Sequence, residues 1–120
     1  PLEAQLDAYL DQGYTLFIAS DHGHVEAAGL GAPSEGLVAQ TRGKRVRIYK
    51  DRLAALRVQN AFADTIVWDN DGLLPDQMTA LMPEGRDAFA PNGEVVVTHG
   101  GVSIDEVIVP FIQVTKESKL

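Results

Sequence analysis

The stretch Thr15-Leu-Phe-Ile-Ala-Ser-Asp-His-Gly-His24 constrains this chain more than any other. An apolar run rich in β-branched and aromatic residues gives way at once to an acid, two imidazoles and a glycine. The run has the composition of a buried strand. The polar group falls just past its carboxyl end, the edge at which open α/β sheets bind ligands. Asp and His are the oxygen and nitrogen ligands of zinc-type divalent ions. A second stretch, Glu94-Val-Val-Val-Thr-His-Gly-Gly101, ends in the same way. If the two strands run parallel, Asp21, His22 and His99 all emerge on one rim, and that rim is the expected site.

A chain of 120 residues is expected to form one domain. It can bury roughly two-thirds of its unfolded surface, enough for a core. Lys and Arg total 10 against 17 Asp and Glu, a formal charge of −7. That balance argues against sequence-independent nucleic-acid binding by these residues alone, because phosphate contacts need a cationic face. A bound divalent ion would invert the local field without altering the total. The absence of cysteine excludes disulfides and thiolate metal sites and fits a cytoplasmic location. No apolar run approaches the roughly 18 residues of a membrane span, and no signal-peptide pattern opens the chain. A membrane is therefore not among the expected partners. The first residue is Pro1 rather than Met, so the chain reads as excised from a longer one.

The pattern predicts a helix over Pro1–Gly13, with Leu2, Leu6, Tyr9 and Leu10 on one face and Gly13 as its stop. Tyr14–Ser20 is the first strand. Val25–Gly36, dense in glycine, reads as a loop. Leu37–Lys50 reads as extended, with a turn at Arg42-Gly43-Lys44. Asp51–Phe62 is a helix capped by Asp51, with Leu53, Leu56 and Ala61 on its apolar stripe. Thr65–Trp68 is a strand closed by the Asp69-Asn-Asp-Gly72 turn. Met78–Met82 fits a short strand or a helical turn equally well. Glu94–Thr98 is a strand, and Ser103 with Glu106 has capping-box spacing. Val107–Val114 is a final strand whose Pro110 suggests an edge or a bulge. The expected architecture is α/β, a mostly parallel central sheet flanked by helices.

Asp21 and His22 are adjacent, so a regular strand would point them apart, whereas a turn lets them converge on one ion at about 2.0–2.2 Å. Gly23 frees the backbone to bend there. His99 lies far along the chain, and its part depends on strand order. The alternative is a plain turn in which Asp21 caps, Gly23 supplies positive φ and His22 is solvated. His24 reads as a surface histidine or one that stands behind the ligands. The cations Arg42, Lys44, Arg45 and Arg47 form a solvated strand face, from which one could clamp an anionic substrate. No Gly-x-Ser-x-Gly, P-loop or dinucleotide fingerprint occurs, and Ser20, Ser34 and Ser103 have no evident basic partner.

Ile18-Ala-Ser-Asp-His-Gly-His24, Glu35-Gly36, Arg42-Gly-Lys-Arg-Val-Arg-Ile-Tyr49 and Thr98-His-Gly-Gly-Val-Ser-Ile-Asp-Glu-Val-Ile-Val-Pro110 together resemble the PglZ domain. That domain belongs to the alkaline phosphatase superfamily and is best known from BREX phage-defence systems. The resemblance runs from about Tyr14 to Thr115. It implies an alkaline-phosphatase-like fold and a metal-dependent phosphatase or phosphodiesterase, a nuclease among the options. It also implies two divalent ions, zinc foremost, with Asp21 and His22 on the ion that holds the nucleophile and His99 on the other. His24 and Arg42 would stand behind these ligands or face substrate. The nucleophile and the remaining ligands would come from segments before the Asp-His-Gly motif. The chain thus resembles the C-terminal part of a PglZ domain, with no catalytic nucleophile of its own, and is expected to be inactive and at most weakly metal-loaded in isolation. The implied partners are a phosphate ester, nucleic acid as one form of it, and other BREX components. The competing reading is a non-catalytic PglZ-like binding or regulatory module.

Overall fold

The computed structural model describes residues 1–33 and 43–117. The chain opens with helix α1 (Leu2–Asp11), which no side chain caps and in which no residue is buried. Gly13, at φ +85°, ends it. Strand β1 (Leu16–Ala19) follows where expected, but it is exposed from Phe17 to Ala19 and not buried, because among the described residues only β8 pairs with it. Strand β2 (Val25–Gly29) then occupies the start of the stretch that reads as a loop. The expected extended segment 37–50 lies partly outside the described residues; within them it contains β3 (Arg47–Tyr49). Helix α2 (Arg52–Ala61) is capped as predicted, Asp51 Oδ1 accepting the Leu53 N–H at 2.9 Å. Strand β4 (Thr65–Trp68) matches its predicted bounds. The ambiguous segment resolves as strand β5 (Thr79–Pro83), buried along its whole length. Strands β6 (Asp87–Ala88) and β7 (Val95–Thr98), the one-turn helix α3 (Ile104–Val107) and β8 (Phe111–Val114) complete the chain. Pro110 stands just before β8, where its missing N–H costs the ladder nothing.

The elements are α/β in content, but the described residues form three small sheets and not one mostly parallel sheet. Their orders are β1-β8, β6-β2-β7 and β3-β5-β4. Among the described pairings only β2 with β6 is parallel. The reason lies in the connections. A parallel neighbour needs a crossover of a dozen or more residues, usually helical. β4 and β5 are joined by a loop too short for such a crossover, and β2 finds its partner β7 from far along the chain in the antiparallel sense. The rim is also assembled differently from the expectation, because β1 pairs with β8 and not with β7.

Two buried clusters organise the molecule. Tyr49, Ala55, Val58, Leu81 and Phe89 join α2 to the β3-β5-β4 sheet. Phe62 meets Phe89 edge-on at 6.1 Å, and the Arg47 guanidinium lies 5.4 Å from the Phe89 ring centre. The face α2 presents is Ala55 and Val58, whereas Leu53 of the expected stripe is 63% exposed. Val25, Ala27, Ala88 and Ala90 form the second cluster around β2. Away from both, α1 and the β1-β8 ribbon extend the molecule to 65 Å in its longest dimension against 21 Å in its shortest.

Leu81, fully buried on the central strand of its sheet, should cost about 2–5 kcal/mol when cut to Ala. Leu53→Ala, on the exposed side of α2, should stay within about 0.5 kcal/mol. Urea denaturation of the two variants measures both.

Candidate metal centre

The two histidine-bearing segments meet because of one register. In the antiparallel β2-β7 pair Val25 lies opposite Thr98. His24 precedes Val25 and His99 follows Thr98, so both leave the ladder at the same end. His22 completes the group from the turn that joins β1 to β2. One possible ligand atom from each of His22, His24 and His99 lies within 4.8 Å of the others. The His22 and His99 rings stack at 3.9 Å, and the His24 ring meets His99 at 5.2 Å and His22 at 4.9 Å.

The donor set suits a cation. His22 Nδ1 lies 2.9 Å from the Gly23 carbonyl oxygen. Only a protonated Nδ1 can make that bond, so the lone pair falls on Nε2. Asp21 Oδ1 accepts the His22 backbone N–H at 3.0 Å, while Oδ2 stands 3.7 Å from His22 Nε2. Two ligands of one tetrahedral ion are separated by about 3.3 Å when both bonds are near 2.0 Å, so a small rotation of the exposed Asp21 side chain would bring this pair to ligand spacing. Burial, and after it the nearby His22 and His24, hold His99 below the usual imidazole value, against the opposing pull of Asp21 and Glu106. His99 is therefore neutral at pH 7 and can donate a lone pair.

The backbone around these rings is locked by close approach. At Gly23 a Cβ would come within 1.9 Å of the Asp105 carbonyl oxygen, and at Gly43 within 2.1 Å of the His99 carbonyl oxygen. Gly100 takes φ +109°, open to glycine at no steric cost. Thr98 Oγ1 accepts the Lys44 N–H at 2.8 Å. Beneath the 99–103 turn lies Glu106, with its side chain 1% exposed, paired with Arg45 at 3%. Its carboxylate accepts from Arg45 Nε at 3.2 Å, the Gly101 N–H at 2.8 Å, and the Ser103 N–H and hydroxyl at 3.2 and 2.7 Å. Burial opposes its charge, but these hydrogen bonds outweigh burial and keep the carboxyl below the usual range.

Of the residues singled out from sequence, His22 and His99 stack, and Asp21 stands at their edge. His24 sits among them. Arg42 lies outside the described residues. Arg45, read from sequence as part of a solvated face, is buried because Glu106 neutralises it; the Asp87 carbonyl accepts from its other arm. Glu106 was legible only as the far half of a capping box. Its further load, Arg45 and the Gly101 amide, comes from chain contacts that spacing does not reveal.

A family model described as the BREX system PglZ alkaline phosphatase-like domain matches residues 2–114. Neither the curated proteins nor the solved structures yield a match.

The depressed Glu106 carboxyl has a pH consequence. Its folded value lies below its unfolded value, so the folded state binds fewer protons. Its contribution to stability is full above the ordinary 4.5 and is lost as pH falls through the folded value. The urea midpoint should therefore drop as pH is lowered below about 4.5, and Glu106→Gln should flatten much of that drop. Exposed Asp69, which its hydrogen bond from Arg52 also holds low, accounts for part of the remainder.

Proposed function

The chain belongs to the PglZ family of alkaline phosphatase-like domains, and from that membership we propose that it supplies the metal-holding rim of a phosphoric-ester hydrolase acting in BREX phage defence. The observation that carries this reading is the convergence of His22, His24 and His99, with Asp21 beside them, at one end of the β2-β7 pair. Asp21 and His22 would hold one divalent ion and His99 the other, with His24 close enough to join either set. Zinc suits a donor group of imidazole and carboxylate without thiolate. Two ions in such a site stabilise the attacking and leaving oxygens of an in-line displacement at phosphorus. The chain's own contribution is to aim the imidazoles: the Gly23 carbonyl orients His22, and the fixed 98–103 backbone holds His99, which burial keeps below the usual imidazole value. Phosphomonoesters and phosphodiesters, nucleic acid included, are the substrate class, and other BREX components are the expected partners.

We take these residues to be the C-terminal part of a larger PglZ domain, one that draws its nucleophile from elsewhere in the polypeptide. The β1-β8 ribbon supports this. Phe17 and Phe111 stack at 5.6 Å yet stay 59% and 72% exposed, and Ile18 and Ile112 beside them are also open. Apolar area of this extent is usually covered by another part of a fold.

Calorimetric titration of the purified chain with Zn²⁺ should show weak uptake. Asp21→Ala and His99→Ala should each lower the affinity by about tenfold or more, since even partners behind the ligands are worth that much. Equal affinity in all three would reduce Asp21-His22-Gly23 to a turn. The isolated chain should not hydrolyse p-nitrophenyl phosphate; a His99-dependent turnover would show that the nucleophile lies within it.

A further inference from the structure

We infer that Glu106 is a positioning residue that fastens both histidine-bearing loops to a single point and so sets the spacing of the cluster. The inference rests on the metal-holding reading for its purpose, and on hydrogen bonds for its substance. Glu106 reaches the two loops with different atoms. Its main-chain carbonyl accepts the N–H of Gly23, the residue between His22 and His24, at 2.8 Å. Its carboxylate accepts the N–H groups of Gly101 and Ser103, the backbone that follows His99, at 2.8 and 3.2 Å. Arg45 holds the same carboxylate through Nε and Nη2, both at 3.2 Å, and donates to the Asp87 carbonyl of β6. β6 lies in the β6-β2-β7 sheet, which carries His24 and His99 at its rim. The anchor is thus tied to the same frame as the rings it spaces.

A capping box alone does not require this. Ser103 and Glu106 form one at the start of α3, but α3 has only four residues, too short to stand without tertiary support. A box needs one N–H at each end and can sit in solvent. Here the carboxylate is 1% exposed and takes two further donors, Arg45 and the Gly101 amide. The close fit of Gly23 and Gly101 against this unit points the same way. A Cβ at Gly101 would lie 2.7 Å from Glu106 Oε2.

Amide hydrogen exchange and Zn²⁺ titration of Glu106→Gln test the proposal, with Val58→Ala, a truncation in the separate α2 cluster, as the control for lost stability. Glu106→Gln should lower the protection of both the Gly23 and the Gly101 amides and weaken Zn²⁺ binding about 10–100-fold. Val58→Ala, read under conditions where it stays folded, should leave Zn²⁺ affinity unchanged. Loss of protection at Gly101 with Gly23 and Zn²⁺ affinity unaltered would overturn the proposal, as would equal losses in the control. If the wild-type chain takes up no Zn²⁺, the metal reading fails, and the exchange at Gly23 still decides whether Glu106 joins the loops. Should Glu106→Gln not fold, Ser103→Ala removes one donor while Arg45 stays paired. Unchanged Gly23 protection and Zn²⁺ affinity in that variant would equally refute the shared anchor.

Discussion

The pairing of Val25 with Thr98 carries the rest of the site. An antiparallel ladder places the residue before one strand beside the residue after the other, so a single register brings His24 to His99. A slip of two residues would separate them by about 7 Å along the strands, and a slip of one would turn every β2 side chain to the other face. The register is held by shape. Val25, Ala27 and Gly29 point inward and are buried, while Glu26 and Ala28 between them face out. Gly29 packs so close to the following turn that a Cβ would lie 2.0 Å from the Pro91 carbonyl oxygen. The observed register provides both the small inward faces and that contact.

A register brings chain segments together but does not fix ring geometry, and here the buried Arg45–Glu106 pair takes over. Ion pairs away from water are costly unless every remaining lone pair and proton is used. This one is well compensated: the carboxylate is met by a guanidinium, a hydroxyl and two amides, and the guanidinium is also bonded to a backbone carbonyl. Removal of one partner from such a pair typically costs about 3–5 kcal/mol, because the other is left charged in a poor solvent. The arrangement therefore has few alternatives, which is what a ligand set needs from its supports.

Local signals in the sequence were sound where the structure is local. Gly13 ends α1, Asp51 caps α2, and the Asp69–Gly72 turn closes β4, each by chemistry contained within a few residues. Strand β2 was hidden because Val-Glu-Ala-Ala-Gly has a single branched residue, Val25, and no aromatic one; its conformation is supported by pairing with β7 and β6. The helix stripe was misplaced for a related reason. Ala55 and Val58 are small enough to let α2 sit on Tyr49 and Leu81, whereas the larger Leu53 is left outside. Asp21, His22 and His99 could be picked out by residue type and by their places after apolar runs. That they meet through antiparallel strands, with His24 among them, depends on contacts between distant residues and so could not be read in advance.

The donor set also bears on a charge that looked unfavourable for a phosphate ester. The chain carries −7 overall, yet the proposed centre contains one carboxylate among three imidazoles. Neutral nitrogen ligands leave a divalent ion most of its charge, and that charge dominates the local field. The carboxylate closest below the cluster, Glu106, does not counter it, because Arg45 neutralises Glu106 in place. With the proposed ions bound, an anionic ester approaching this rim would therefore meet a cationic centre in spite of the chain's overall charge.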